Sequence, residues 1–468
     1  MQDAHTPKPR KRTLTERLSQ QFKVQIKSGA LRAGDRLPSI RTAAESYGVS
    51  KNTVIEAYER LASAGLVTPK HGSGFIVNAA KTPSQSPRPV HVSEAIDIVS
   101  LLSAQLEKSY SIRAGDGRPP PSWTEESEIK RYLGPNALRN NEEGYGAAQG
   151  LRKLRELVAI GFGERSISVD PDQILMTLGA NHALDLIIRY FLAPGDTVLV
   201  DDPGYYPLFA KLKLAQVNIV GVKRLANGPC PEDFEQKLQH TNAKLFFTQS
   251  YAHNPTGSSI DLPTAHAVLS IAERHGVTII ENDPFKDLMG PADILLSAID
   301  QFNNVIFVGT FSKTLSAAMR TGYIAGRADL ITALTDLKMI TVVNSSGHIE
   351  RIVSNVISNG HYRRHIKRLK TRIEKATIAS MANLAHIGLD SMAPPKNGYY
   401  LFPVLPSGFD DIALAKAAAA KGIFIAPGSL FSIEKETAPS GVRLNVGHAE
   451  DPRLYAFLKE ELEKHLSG

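Results

Sequence analysis

A lysine set just past an apolar run, with an arginine seven residues further on, carries the sharpest chemical signal in the sequence. The run Asn304 to Val308 leads into Gly309-Thr310-Phe311-Ser312-Lys313-Thr314, and Arg320 follows. A short apolar run closed by a polar turn reads as a buried strand. Residues just past such strands stand at the carboxyl edge of an α/β sheet, where these folds bind ligands. A lysine held there is partly desolvated and can form a Schiff base with an aldehyde. The plain alternative is a solvated loop lysine, as most lysines in any chain are.

Neighbouring runs lead to the same edge. Thirty residues back, Val277 to Asn282 ends at Asp283, whose carboxylate suits a protonated pyridine nitrogen, although an acid after a strand also serves as a turn former or helix cap. Earlier still, Ala243 to Gln249 leads into Ser250-Tyr251-Ala252-His253-Asn254-Pro255-Thr256-Gly257. Asn254 there offers an amide to a phenolate oxygen, or simply makes an Asn-Pro turn. A fourth strand, Ile174 to Leu178, runs into Gly179-Ala180-Asn181 and an apolar helix, Ala183 to Leu192. Small residues at a helix start leave backbone N–H groups free for a phosphate, and Thr310, Ser312 and Arg320 complete an anion site. A fifth, Thr197 to Val200, precedes Asp201-Asp202-Pro203-Gly204-Tyr205-Tyr206, where Tyr205 offers a face for a flat ring.

In this order and spacing, GAN, DDPGYY, HNPTG, ENDPF, SKT with Arg320, and then Arg443-Leu444-Asn445-Val446 resemble the fold type I aminotransferases over residues 113 to 468. The resemblance implies pyridoxal 5′-phosphate on Lys313, its pyridine nitrogen on Asp283 and its ring oxygen on Asn254. It implies a phosphate held by Ala180, Asn181, Thr310, Ser312 and Arg320. Arg443 would be the fork for an amino-acid carboxylate, a role suited to a planar guanidinium. Tyr145, in Gly144-Tyr145-Gly146, resembles a tyrosine that reaches the neighbouring subunit's phosphate. The chain departs from the family at one point: a tyrosine that donates to the ring oxygen usually stands two residues after the aspartate, and here that position is Phe285. Phenylalanine cannot donate that bond, so inefficient turnover is expected without loss of cofactor binding.

The first 90 residues carry a different chemistry. They hold 15 Lys or Arg against 6 Asp or Glu, whereas the whole chain is +7, so the positive charge is confined to the N-terminal segment. Such asymmetry points to a polyanionic partner. Thr13 and Glu16 form a capping box, and Leu14, Leu18, Phe22 and Ile26 line one face of a first helix. A second helix runs from Ser39 to Tyr47 and ends at Gly48; a third, capped by Ser50, covers Lys51 to Ala64. Leu66-Val67-Thr68 and Phe75-Ile76-Val77 flank the tip Pro69-Lys70-His71-Gly72-Ser73-Gly74 as a hairpin wing. GDRLPSIR with HGSGFIV resembles the winged helix-turn-helix of GntR-type regulators. The resemblance implies double-stranded DNA as a partner and Arg36, Ser39, Arg41, Lys51, Asn52, Thr53, His71 and Gly72 as its contacts. Joined in this order, the two resemblances point to the MocR branch of the GntR regulators.

The chain therefore reads as a winged helix-turn-helix at 12–78, a Pro/Ser/basic linker at 79–112 with a short helix over Ala95 to Leu106, and an α/β body at 113–468. In the body a mostly parallel sheet forms a large lobe, about 150–340, beside a smaller α+β lobe of 113–149 and 345–468. The single cysteine, Cys230, excludes an intrachain disulfide framework. The 14 histidines show no metal-ligand spacing, and no signal core or long apolar run is present, so a cytoplasmic protein without metal or membrane is expected. The expected function is a pyridoxal-phosphate-dependent regulator, a head-to-tail homodimer responsive to an amine, an amino acid or the cofactor; a working aminotransferase is the alternative.

Overall fold

Leu18 and Phe22 lie one helical turn apart and are both buried, so the first amphipathic segment folds as α1 (Leu14–Lys27) against the rest of the N-terminal core. The computed structural model describes residues 14–27, 31, 33–70, 74–78, 89–107, 110–124, 127–134, 144–394, 396–433 and 440–467. These fall into two compact units, residues 1–88 and 89–468.

In the first unit, Ser39 caps α2 (Ile40–Tyr47) by accepting from the Thr42 amide, and Gly48 closes it at φ 62°. Ser50 caps α3 (Lys51–Ser63) by accepting from the Thr53 amide. Val54, Ala57, Tyr58 and Leu61 form the buried stripe of α3. Tyr58 meets Phe22 edge-on at 5.4 Å and donates to the Pro38 carbonyl at 2.9 Å, which pins the segment ahead of α2. β1 (Val67–Lys70) pairs antiparallel with β2 (Gly74–Val77), the wing expected from sequence. The wing tip with His71 and Gly72, the Thr13 end of the capping box and linker positions 79–88 lie outside the described residues.

The second unit opens on α4 (Val90–Glu107), a longer helix than the Ala95 to Leu106 stretch read from sequence; it packs against helix Tyr206–Leu214. An eight-stranded sheet follows, in the order β3-β10-β9-β8-β7-β4-β5-β6. Its strands are β3 (Ile174–Thr177), β4 (Thr197–Asp202), β5 (Asn218–Leu225), β6 (Gly228–Pro229), β7 (Ala243–Thr248), β8 (Thr278–Asn282), β9 (Val305–Thr310) and β10 (Gly322–Ala325). β4, β5, β7, β8 and β9 are mutually parallel, and antiparallel β10 lies between β9 and β3. β3 therefore runs the same way as β9, and the carboxyl ends of five site-bearing strands share one edge. Buried on both faces, these strands are near-continuous apolar runs, as parallel sheets require. A second, three-stranded sheet joins β11 (Tyr400–Leu401), β12 (Ala426–Pro427) and β13 (Val442–Asn445) in the order β11-β13-β12. Among the described residues, no helix is long and apolar enough to cross a membrane.

Candidate functional site

Each predicted strand ends within a residue or two of the expected place, and the loops after them converge. Lys313 follows β9 and donates from Nζ to the Gly117 carbonyl. Burial, and then the Arg443 guanidinium, lower its ammonium from 10.5 to about 8. At pH 7 about a tenth of this lysine is thus the free amine, the nucleophilic form, far more than for a solvated lysine.

Asp283 follows β8. Its Oδ2 accepts from the Tyr251 amide at 3.1 Å and its Oδ1 from the Phe285 amide at 2.7 Å. Burial, and then the charge of nearby Glu281, nevertheless raise it to about 8, and among the described residues no cation forms an ion pair with it. A buried acid in that state is short of a cation, and a protonated pyridine nitrogen would supply one. Asn254 follows β7, and its Oδ1 accepts from Arg443 Nη1 at 3.0 Å. That bond orients the amide so that its NH2 remains the donor end.

The turn after β3 has the geometry of an anion cradle. Gly179 has φ 81°, and a Cβ there would stand 2.9 Å from Arg320 Nη2, so glycine is what lets the guanidinium lie against the turn. Arg320 donates to the Leu178 carbonyl at 3.1 Å. In helix Ala180–Phe191 the return bonds to Gly179 begin with the amides of His182 and Ala183, leaving those of Ala180 and Asn181 for a ligand. Thr310 and Ser312 share a hydroxyl bond of 3.0 Å at the end of β9, and Gly322 pairs with both Thr310 and Thr177. Arg320, just before β10, is thereby brought to this edge. Tyr205 precedes helix Tyr206–Leu214 at the end of β4.

The second sheet supplies Arg443 from the interior of β13. Its Nη2 donates to the Gly115 carbonyl at 2.7 Å, its Nε is buried without a hydrogen-bond partner, and the Tyr400 and Phe431 rings lie 5.1 and 4.9 Å from its Cζ. Tyr145 stands apart at 87% exposure, so it is open to a second molecule.

Three residues of this region were not singled out in the sequence. Asp116 is buried; burial pushes its carboxyl up, but hydrogen bonds and charge from Arg118, with Arg113, hold it at about 2. Gly117 offers its carbonyl to both Lys313 and the Tyr400 hydroxyl. Asn445 donates to the Asp116 and Arg118 carbonyls at 2.7 and 2.8 Å. Asp116-Gly117 is a turn dipeptide between two arginines, and that was the available signal. Phe285 is fully buried, 5.7 Å from the ring of Tyr399 and 5.8 Å from that of Tyr400. Neither hydroxyl stands in for the missing donor in this arrangement, since both are given to carbonyls, those of Lys313 and Gly117.

On the N-terminal unit, Arg36, Arg41, Lys51 and Asn52 are exposed, the last two in the first turn of α3. Arg41 carries a solvent-screened ion pair with Glu45 at 3.2 Å. Ser39 and Thr53 hydroxyls are engaged in the caps of α2 and α3, where they set the helix starts.

The family model for aminotransferase class I and II matches residues 107–456. That for bacterial regulatory proteins of the gntR family matches residues 14–77. Over 433 residues the chain is 29% identical to the HTH-type transcriptional regulator YdfD of Bacillus subtilis, covering 88% of this chain and 89% of that one. It is 26% identical over 444 residues to the HTH-type transcriptional regulator TauR of Rhodobacter capsulatus, covering 90% of each. The fold is similar to that of Pyrococcus horikoshii kynurenine aminotransferase, with a TM-score of 0.72, 24% identity, and coverage of 79% of this chain and 95% of that one.

Proposed function

Since the chain belongs to the aminotransferase class I and II family through residues 107–456 and carries a gntR-type segment before them, we propose that it is a MocR-type regulator that binds DNA through residues 12–78 and senses an amine, an amino acid or the cofactor through residues 113–468. The cofactor of this family is pyridoxal 5′-phosphate, which when bound supplies an aldehyde that captures amines and a ring that draws electrons from them. Lys313 would hold it through its amine, Asp283 would hold the pyridine nitrogen and Asn254 the ring oxygen. Ala180, Asn181, Thr310, Ser312 and Arg320 would hold the phosphate, with Tyr205 against the ring. Arg443 would take the carboxylate of an amino-acid effector, and its unpartnered Nε supports that role.

The observation that carries this reading is the meeting of an amine, a cation-short acid and an anion cradle at one sheet edge, in a chain whose front bears the exposed first turn of α3. A homodimer completes it. Tyr145, Met339, Ile340 and Val343 are exposed, and Asn344 Nδ2 lies 3.7 Å from where a Cβ would stand on Gly146, so this apolar group is gathered on one surface. Val343 holds φ 64°, an unusual conformation for a β-branched residue. A head-to-tail partner seated there would receive Tyr145 at its phosphate. The intact Lys313 and Arg443 leave a working aminotransferase as the second reading.

The test is borohydride reduction of the purified protein followed by peptide mapping, together with a mobility-shift assay on its own upstream DNA. The pyridoxyl label is expected on Lys313 and absent from the Lys313→Ala protein, whose fold should be retained because the change trims one side chain in the turn after β9. Label on another lysine, or no shift of the DNA, would reject the reading.

A further inference from the structure

A cavity in the body, of about 540 Å³, does not have Lys313 in its lining and is walled by helix Arg152–Gly163, helix His361–His386 and the Lys286–Asp287 turn. Its floor is apolar, with Phe311, Tyr323 and Ile366 buried. Its charged lining is unbalanced. Arg165, Lys286, Arg363, Lys367 and Lys370 face it, against Glu164 and Asp287. Asp287 is already matched, since Lys286 donates to it at 2.9 Å and Tyr362 at 2.5 Å. Arg165 and Lys370 are both fixed on the Met289 carbonyl, at 2.8 and 2.9 Å, which sets two cations side by side in the wall. Arg363 and Lys367, one helical turn apart, are exposed at the rim.

Cations crowded around an apolar floor are most stable when an anion with an apolar body joins them, because the charge is matched and the floor is taken out of water together. We propose that this cavity is a second ligand site, for a small organic anion with a flat apolar body bearing a phosphate or carboxylate, and that its occupancy is felt at Lys313. Two short connections carry the coupling. Phe311, in the floor, is two residues from Lys313. Asp287, in the wall, is joined through the Tyr362 hydroxyl to the Thr314 hydroxyl at 2.7 Å, next to Lys313.

The test uses the full-length protein and three probes of one shape, 1-naphthyl phosphate, 1-naphthoate and neutral 1-naphthalenemethanol, titrated by calorimetry. At least one anion is expected to bind ten-fold or more tightly than the neutral probe, and which anion wins identifies the head group. Arg363→Glu with Lys367→Glu, both on the exposed rim, should weaken that anion ten-fold or more while near-ultraviolet circular dichroism is unchanged. Arg320→Ala should leave it bound. Binding lost in Arg320→Ala would locate the probe in the phosphate cradle beside Lys313 and overturn the proposal. Equal affinity for the neutral probe, no binding of any probe, or indifference to the rim reversal would do the same.

Discussion

At the scale of single residues, the environment of Lys313 makes a pH prediction whose sign is determined. Only the neutral amine attacks an aldehyde, and here the proton is lost at about 8 instead of 10.5. The rate of pyridoxal phosphate capture by cofactor-free protein should therefore rise through about pH 8 and level off above it, whereas a solvated lysine would still be gaining toward 10.5. Stopped-flow absorbance across that range decides between them. Phe285 leads to a second prediction. If Asn254 alone donates to the ring oxygen, as proposed, ligand exchange should be fast and transamination slow. Phe285→Tyr should raise keto-acid formation ten-fold or more, although the added hydroxyl enters a fully buried position beside Tyr399 and Tyr400. Turnover by the unaltered protein on the order of 1 per second or faster would favour the aminotransferase reading. For Arg443→Ala, titration should show an amino-acid effector weakened by about 1.5–3 kcal/mol, the usual worth of a hydrogen bond to a charged group, with the cofactor retained.

At the scale of elements, α3 is expected to carry recognition because its first turn is both capped and exposed. Ser50→Ala removes the oxygen that accepts from the Thr53 amide at 3.1 Å, which should cost about 0.5–2 kcal/mol of head stability by thermal melting. Lys51→Ala should weaken DNA binding about equally across sequences and reduce the salt slope by about one, as loss of a phosphate contact does. Asn52→Ala should instead relax preference at a particular base pair, as expected for the start of a recognition helix. If both variants weaken all sequences alike, α3 does not read bases.

For the molecule as a whole, the unequal charge of its ends matters most. The N-terminal 90 residues carry the basic excess and the remainder is slightly acidic. DNA affinity should therefore fall steeply with salt, through counterion release at the head. The first compact unit has its own buried core, from Leu18 and Phe22 to Val67 and Val77, so residues 1–88 are expected to fold alone. Fluorescence anisotropy should find them binding weakly and the full chain tightly, because two heads carried by the proposed dimer would raise each other's effective concentration. Equal affinities would argue against the dimer. An effector that favours one arrangement of the heads can contribute only its difference in affinity for the two states, commonly about 1–3 kcal/mol.

The order of elements and the identity of the chemistry were legible in the sequence itself. Strand runs, helix faces and caps are local consequences of side-chain period and backbone preference, and β9, β8 and β7 with Lys313, Asp283 and Asn254 behind them could be read from neighbours in the chain. The length of α4 was less legible, because its start at Val90 lies within a stretch whose composition read as linker. Only the tertiary structure decided what surrounds those residues. Arg443 meets Asn254 across 189 positions and Gly115 across 328, and Gly117 reaches Lys313 across 196. The cation-short state of Asp283, the lowered ammonium of Lys313 and the basic cavity behind Phe311 arise from those contacts and from burial. No local pattern encodes them, because burial and charge at a site are sums over segments that packing alone brings together.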